Sequence, residues 1–172
     1  MQIETARLRL RPVAEADVAG LLAFFRDDHV RRYLLDGALV DEAWVRREIA
    51  ASRDRVASGS HGLYVVMLTA RGAGGVVGRI SGVAGFRPDH DPPVLELVYA
   101  FLPAYTGQGF ATEVGRALVE HFFASDVADV LDAAVDVPNT NSIRVLEKLG
   151  FREVRRSPGA FGEMVHYQLQ RR

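Results

Sequence analysis

Hydrophobic positions along the chain change period several times, and each change marks an element. Val94 to Leu102 is almost continuously apolar and predicts a strand buried on both faces. Pro103 has no N–H for a ladder and ends it. After the glycine turn Gly107-Gln108-Gly109 the period becomes helical to Ser125, with Phe110, Val114, Ala117, Leu118 and Phe122 on one face. Asp129 to Val137 then alternates as a strand, with Leu131, Ala133, Val135 and Val137 together. Strand, helix, strand predicts a parallel pair with a right-handed crossover.

Upstream, Arg7 to Arg11 alternates Arg with Leu before Pro12 and reads as an edge strand with a charged face. Ala14 to Arg26 predicts a helix facing inward through Val18, Leu21, Leu22 and Phe25. Asp28 to Leu39 is irregular, and Asp41 caps a second helix through about Val56. Leu63 to Leu68 is a short central strand, Arg71 to Gly75 a glycine-rich turn, and Val76 to Phe86 the strand pairing back. Gly78, Gly82 and Gly85 within it predict bulges or close backbone approach. The loop Arg87 to Pro93 leads into the Val94 strand. Downstream, a helix over about Ser142 to Leu149 is closed by Gly150. Phe151 to Arg155 and Met164 to Gln170 predict a final hairpin.

Composition narrows the chemistry. A chain of 172 residues with 48% hydrophobic and 25% charged residues predicts one globular domain with a substantial core. A net charge of -1 gives no basic footprint for nucleic acid or an anionic membrane, and no apolar run has spanning length. The absence of cysteine excludes disulfides, thiolate zinc sites and a cysteinyl acyl-enzyme, and fits a cytoplasmic protein. No signal peptide is expected at the N-terminus. The histidines His29, His61, His90, His121 and His166 lack metal-ligand spacing, so no metal is expected.

The turn after the Val94 strand predicts an anion cradle. Its glycines let backbone approach a ligand, and the first helical N–H groups have no intrahelical partner. With the helix dipole they suit a phosphate or pyrophosphate, although tight-turn geometry alone also accounts for the glycines. A Walker A loop fails, because no lysine lies near Gly109. A dinucleotide fingerprint survives weakly, with Thr112 at its third glycine and Asp132 or Asp136 as ribose acid. The antiparallel first half opposes it.

Several separated stretches carry a resemblance. Thr106 to Ala111 resembles the Q/R-x-x-G-x-G/A signature of the GNAT superfamily of acetyl-CoA-dependent N-acetyltransferases, with Thr106 where Gln or Arg is usual. Thr5-Ala6-Arg7-Leu8-Arg9-Leu10-Arg11-Pro12 resembles T-x-R-L-x-L-R-P of its RimJ/RimL-type branch, which acetylates protein N-termini among other amines. Glu96 to Tyr99 resembles that branch's E-I-G-Y, and Gly107 to Glu113 its G-Q-G-Y-A-T-E. Asn139-Thr140-Asn141-Ser142 with Glu147 to Phe151 resembles N-x-x-S…E-K-x-G-F. The resemblance implies the GNAT-like α/β (α+β) fold. That is a mixed, mostly antiparallel sheet of about seven strands with one parallel crossover and four helices.

The resemblance also implies acetyl transfer from acetyl-CoA to an amine substrate, a small molecule or a protein N-terminus, without a covalent enzyme intermediate. It implies that Thr106, Gly107, Gln108, Gly109, Phe110, Ala111 and Thr112 hold the coenzyme phosphates. Backbone at Tyr99, Ala100, Phe101 and Leu102 on a bulged strand serves pantetheine and the carbonyl, and Asn139 and Ser142 also touch the coenzyme. Core packing remains the reading for the Tyr99 and Phe101 side chains. Glu96 is the candidate base, weighed against a solvent-facing glutamate, and Glu113 reads as a charge near the helix start. Asn139 and Asn141 both suit a helix cap. Leu146 stands where many members carry a tyrosine acid, leaving Ser142 as candidate acid. Arg144 and Lys148 read as a solvated helix face. Val30 to Asp41, His61 and the final hairpin are expected around the acceptor, with His90 and Asp91 in a surface loop. A non-catalytic acyl-CoA-binding or regulatory module is the rival of a different class, and a homodimer remains open.

Overall fold

The computed structural model describes residues 2–72, 78–88 and 94–171. Eight strands form one sheet in the order β1-β2-β3-β4-β5-β6-β8-β7. These are β1 (Ile3–Glu4), β2 (Leu8–Pro12), β3 (Leu63–Leu68), β4 (Ile80–Pro88), β5 (Leu95–Phe101), β6 (Val130–Asp136), β7 (Arg152–Gly159) and β8 (Gly162–Gln170). The helices are α1 (Val18–Arg26), α2 (Asp28–Leu34), α3 (Glu42–Ala57), α4 (Phe110–Ala124) and α5 (Thr140–Leu149). Every described strand pairing is antiparallel except β5 with β6, as the strand-helix-strand order requires.

The GNAT-like class stands, with one more strand and one more helix than expected. β1 is only two residues long, too short to leave an alternating pattern, and it removes β2 from the sheet edge. The segment from Asp28, expected to be irregular, opens as α2 because the Asp27 carboxylate accepts from the His29 and Val30 amides at 3.0 and 3.2 Å. Only Val30 of this helix is buried, so it has almost no periodic signature. The final hairpin is also longer than predicted, with β7 and β8 paired out to Gly159 and Gly162. Residues 73–77, which take in much of the expected glycine-rich turn, and the loop 89–93, including His90 and Asp91, lie outside the described residues.

The two sheet faces are covered unequally. Phe110, Val114, Leu118 and Phe122 recur every fourth residue along α4 and are at most 2% exposed. Each such burial contributes about 1.5–3 kcal/mol. They meet Leu97 and Phe101 of β5, Leu131 and Val135 of β6 and Val165 of β8 in one continuous core. The opposite core packs α1, α2 and α3 on β3 to β5. Among the described residues its buried members include none from β6, β7 or β8. There the residues alternating with the core positions include Asp132 and Asp136 on β6 and His166 and Gln168 on β8, with the smaller apolar share from Val130, Ala134 and Met164. One half of that face is therefore a helix-covered core and the other a polar surface.

The close approach expected at the β4 glycines is present. A Cβ at Gly82 would stand 2.7 Å from the Ala100 carbonyl oxygen, and one at Gly85 2.3 Å from that of Gly62. The register of β3 on β4 shifts between Val66 and Met67, beside Gly82.

Candidate active site

The parallel strands β5 and β6 meet at a single rung, Glu96 opposite Asp132. Toward their C-terminal ends they part, leaving the edge of β5 from Val98 onward without a ladder partner in β6. The expected bulge is absent: β5 runs in unbroken register against β4 from Pro88–Leu95 to Gly82–Phe101. The opening arises from divergence of the two strands. Side chains cross it. Glu96 Oε1 accepts the Ala134 amide N–H at 3.0 Å, taking the place of a ladder carbonyl. The Tyr99 hydroxyl donates to the Ser142 carbonyl at 3.2 Å. Burial pushes the Tyr99 pKa well above the ordinary phenol range, only partly opposed by the Ser142 contact, so the phenol stays protonated.

Past β5 the chain turns through Pro103–Tyr105 and reaches Gly107 at φ +72° and Gly109 at φ +81°, a left-handed conformation that favours glycine. A Cβ at Gly107 would meet nothing within 4 Å, and one at Gly109 only Arg7 Nη2 at 3.6 Å. Their surroundings are open, so packing does not explain them. The first helical bond of α4 runs from Glu113 N–H to the Gly109 carbonyl at 3.0 Å. The amides of Gly107 to Thr112 make no hydrogen bond to a described acceptor. The Thr106 hydroxyl and Gln108 amide fold back onto the Pro103 and Ala104 carbonyls at 2.9 and 2.8 Å. The loop thus presents backbone N–H groups at the positive end of a helix, as an anion requires.

This cradle is braced from a place the sequence pattern did not reveal. Arg7, expected on a charged strand face, donates through Nη1 to the Gln108 carbonyl at 3.0 Å and lies 4.4 Å over the Phe110 ring. Its Nε and backbone N–H reach the two Glu113 oxygens at 2.7 and 2.9 Å, and Thr5 Oγ1 donates at 2.6 Å. Burial alone would raise the Glu113 pKa, but these donors outweigh it and hold the carboxyl below its usual range. Glu113 is therefore a charged brace at the helix start. Arg11 also leaves its expected role, pairing with buried Asp17, whereas Arg9 with Glu4 remains on an exposed face.

Across the opening, Asn139 Oδ1 accepts the Ser142 amide at 3.3 Å and caps α5, while Asn141 is exposed. Ser142 is half-buried in the first turn of α5, above the gap. Leu146 is 2% exposed in the α4-side core, where its chemistry is only packing. Arg144 and Lys148 lie on the exposed side of α5, as expected.

His61 is not beside the acceptor opening. It lies beneath the C-terminal end of α4, against Phe86, Phe122 and His121, with Nε2 2.7 Å from Ser125 Oγ. Burial, and after it the His121 charge, lowers its pKa to about 4. The other predicted parts of that wall do come together, since the Tyr33 ring of α2 meets Phe161 in the β7–β8 turn edge-on at 5.5 Å. His29 is exposed on α2, and His166 Nε2 lies 2.8 Å from Ser157 Oγ on the polar half-face. No cluster of three metal-ligating residues occurs among the described residues.

The model of the acetyltransferase (GNAT) domain family matches residues 7–152. An uncharacterized N-acetyltransferase, p20, of Bacillus licheniformis is 25% identical over 150 residues, covering 87% of this chain and 81% of that protein. RimL, a ribosomal L7/L12 alpha-N-protein acetyltransferase solved with coenzyme A, superposes with a TM-score of 0.81 at 16% identity, over 99% of this chain and 98% of its own. The aminoglycoside acetyltransferase AAC(6')-Ib, solved with coenzyme A and kanamycin, superposes at 0.74 with 23% identity, over 95% of each chain. At these identities the two superpositions describe the fold.

Proposed function

The chain belongs to the acetyltransferase (GNAT) family, an N-acetyltransferase family with acetyl-CoA as co-substrate, and from that premise we propose direct acetyl transfer to a primary amine of a small molecule or protein N-terminus. The observation that carries this is the row of unclaimed amides from Gly107 to Thr112, set beside the parting of β5 and β6. The donor set fits a diphosphate: outward N–H groups, a helix dipole and no intruding side chain. In this reading Thr106 to Thr112 hold the diphosphate, and Asn139 and Ser142 border the pantetheine path. The RimJ/RimL-type branch is favoured because Arg7 and Thr5 of its N-terminal motif hold Glu113 of its glycine motif.

Acetyl-CoA supplies the acetyl group as a thioester. An ammonium has no lone pair, so Glu96 receives the proton that the acceptor must first lose. On the edge of β5 that faces the opening, Tyr99 and Phe101 offer backbone N–H to the carbonyl oxygen as its negative charge grows, whereas the Leu102 N–H is held by the Ser81 carbonyl at 3.0 Å and, by alternation, that of Ala100 also faces β4. The Ser142 hydroxyl hydrogen-bonds the departing sulfur. A thiol pKa of about 8.5 makes full proton transfer unnecessary. The absence of a sulfur nucleophile agrees with direct transfer. We place the protein in the cytoplasm; among the described residues no helix is long and apolar enough to cross a membrane.

Replacement of Gly109 by Val tests the cradle, because a β-branched residue is strained at φ +81° and adds bulk beside the amides. Coenzyme affinity should fall about tenfold or more, about 1.4 kcal/mol, in a variant that still folds. Unchanged affinity by calorimetry would sink the coenzyme site. The buried Leu146 favours a second reading, a non-catalytic acyl-CoA-binding module. Thiol release from acetyl-CoA with a panel of amines separates the two.

A further inference from the structure

Five residues of adjacent strands fall in one row across the sheet: Arg87 of β4, Glu96 of β5, Asp132 of β6, Gln168 of β8 and Arg152 of β7. Side chains paired in this way share a face and start about 5 Å from their neighbours. Glu96, the proposed base, is therefore flanked by a cation on one strand and by a second carboxylate on the other. All three are half-buried, where charges are screened less than in open water.

The Arg87 side carries the positive excess. Arg87 Nη2 lies 3.6 Å from Glu48 Oε2 of α3, while its Nε is buried and has no hydrogen-bond partner among the described residues. Arg55 of α3 joins them: burial lowers its pKa, the Glu48 charge opposes this and the Arg87 charge adds to it. Two guanidiniums thus share one carboxylate. Their excess charge favours ionised Glu96, and so does the Ala134 N–H donated to Oε1 at 3.0 Å. Acting alone, these two would leave Glu96 a poor proton acceptor near neutral pH.

Asp132 acts in the opposite direction, because a like charge on the neighbouring strand disfavours the carboxylate form of Glu96. Beside Asp132 is a cavity of about 30 Å³, bordered also by Ala134, His166, Gln168 and Arg155, with room for about one water. A carboxylate with water at hand keeps its charge. Arg155 is exposed on β7, three strands from Glu96, and His166 Nε2 lies 2.8 Å from Ser157 Oγ.

We infer that Asp132 is a positioning residue for the proposed base: its charge, set against that of Arg87, keeps Glu96 able to accept a proton near neutral pH. The inference rests on the transferase reading, in which Glu96 is the base. Each neighbour limits the other. Without Arg87, Glu96 would hold a proton at rest, and without Asp132 it would not take one.

The test is an NMR titration of the Glu96 side-chain carboxyl carbon in isotope-labelled whole protein, with its signal identified by its loss in Glu96→Gln. Asp132→Asn should move the titration midpoint down by about one pH unit, a tenfold change in proton affinity. Arg87→Gln should move it up by about half a unit, and Glu48→Gln, which leaves the arginines unopposed, should move it down. A midpoint that stays in place in Asp132→Asn, or shifts of the same sign in Asp132→Asn and Arg87→Gln, overturn the inference. Should Asp132→Asn fail to fold, Asp132→Ser must show the downward shift, or the inference falls. Thiol release from acetyl-CoA with a panel of amines, measured on Glu96→Gln, separates this from the reading beneath it. Release at the wild-type rate removes Glu96 from the chemistry, while opposite midpoint shifts would leave the charge row itself standing.

Discussion

Glu113, at the start of α4, and Asp136, at the end of β6, are both withdrawn from solvent, and the fold treats them in opposite ways. Glu113 receives the Thr5 hydroxyl and both the backbone N–H and guanidinium of Arg7, and its pKa falls. Asp136 is more deeply buried, lacks a donor for Oδ1, and its pKa rises. Around the glycine turn the side chains are thus saturated, and only backbone N–H groups are left to bind. The Asp136 side keeps one carboxylate oxygen buried without a donor, at a cost in stability.

The largest effect should come from Glu96, which belongs to both sides. Glu96→Gln keeps an oxygen for the Ala134 N–H and removes only the charge. Turnover at neutral pH should fall about a hundredfold, with the acidic limb of the pH–rate profile lost. Near-normal turnover with that limb intact would reduce Glu96 to a strap between strands.

Next is the contrast itself. At neutral pH Glu113→Gln should lose about 1–3 kcal/mol of unfolding free energy, since its one oxygen can still serve Thr5 and the Arg7 N–H but its NH2 group and lost charge leave the Arg7 guanidinium without an acceptor. Asp136→Asn should gain about 1 kcal/mol. The pH dependence carries opposite signs. Because the folded-state pKa of Glu113 is lowered, its contribution is present above about pH 4.5 and fades as pH falls further. Because that of Asp136 is raised, its protonated form favours the fold, and stability is lost as pH rises through the folded value. Urea titrations of the two variants across acid and neutral pH read both, and parallel losses would dissolve the contrast.

The smallest effect is expected at Ser142. Ser142→Ala should slow turnover about tenfold or less, about 0.5–1.5 kcal/mol for one neutral hydrogen bond, with coenzyme affinity nearly unchanged. A loss of about a thousandfold would make it the acid that Leu146 cannot be.

What the sequence disclosed divides along the same line. The cradle was legible because a strand end, two glycines and a helix start are consecutive, and their chemistry is that of the backbone. The helix caps at Asp41 and Gly150 were legible for the same reason. The Arg7–Glu113 brace was hidden by the more than one hundred residues between its partners. Nothing periodic links them, although both lie in motifs that were recognised. The place of His61 beneath α4 is not legible, because one histidine between Ser60 and Gly62 in a chain break has no periodicity to give it a face. The Asp136 environment was illegible, since one residue of a clean alternation does not disclose that a turn more than twenty residues later buries it.

The single Glu96–Asp132 rung also has a mechanical meaning. β1 to β5 are one stiff plate and β6 to β8 another, each laced by continuous antiparallel ladders. They share the α4 core on one side and are pinned at one rung and two side-chain straps on the other. Two plates joined in this way have one soft coordinate, the angle at which the wedge between them opens. In the proposed reaction a proton accepted by Glu96 would weaken its hold on the Ala134 amide, and each turnover would tug on the hinge that sets the width of the wedge.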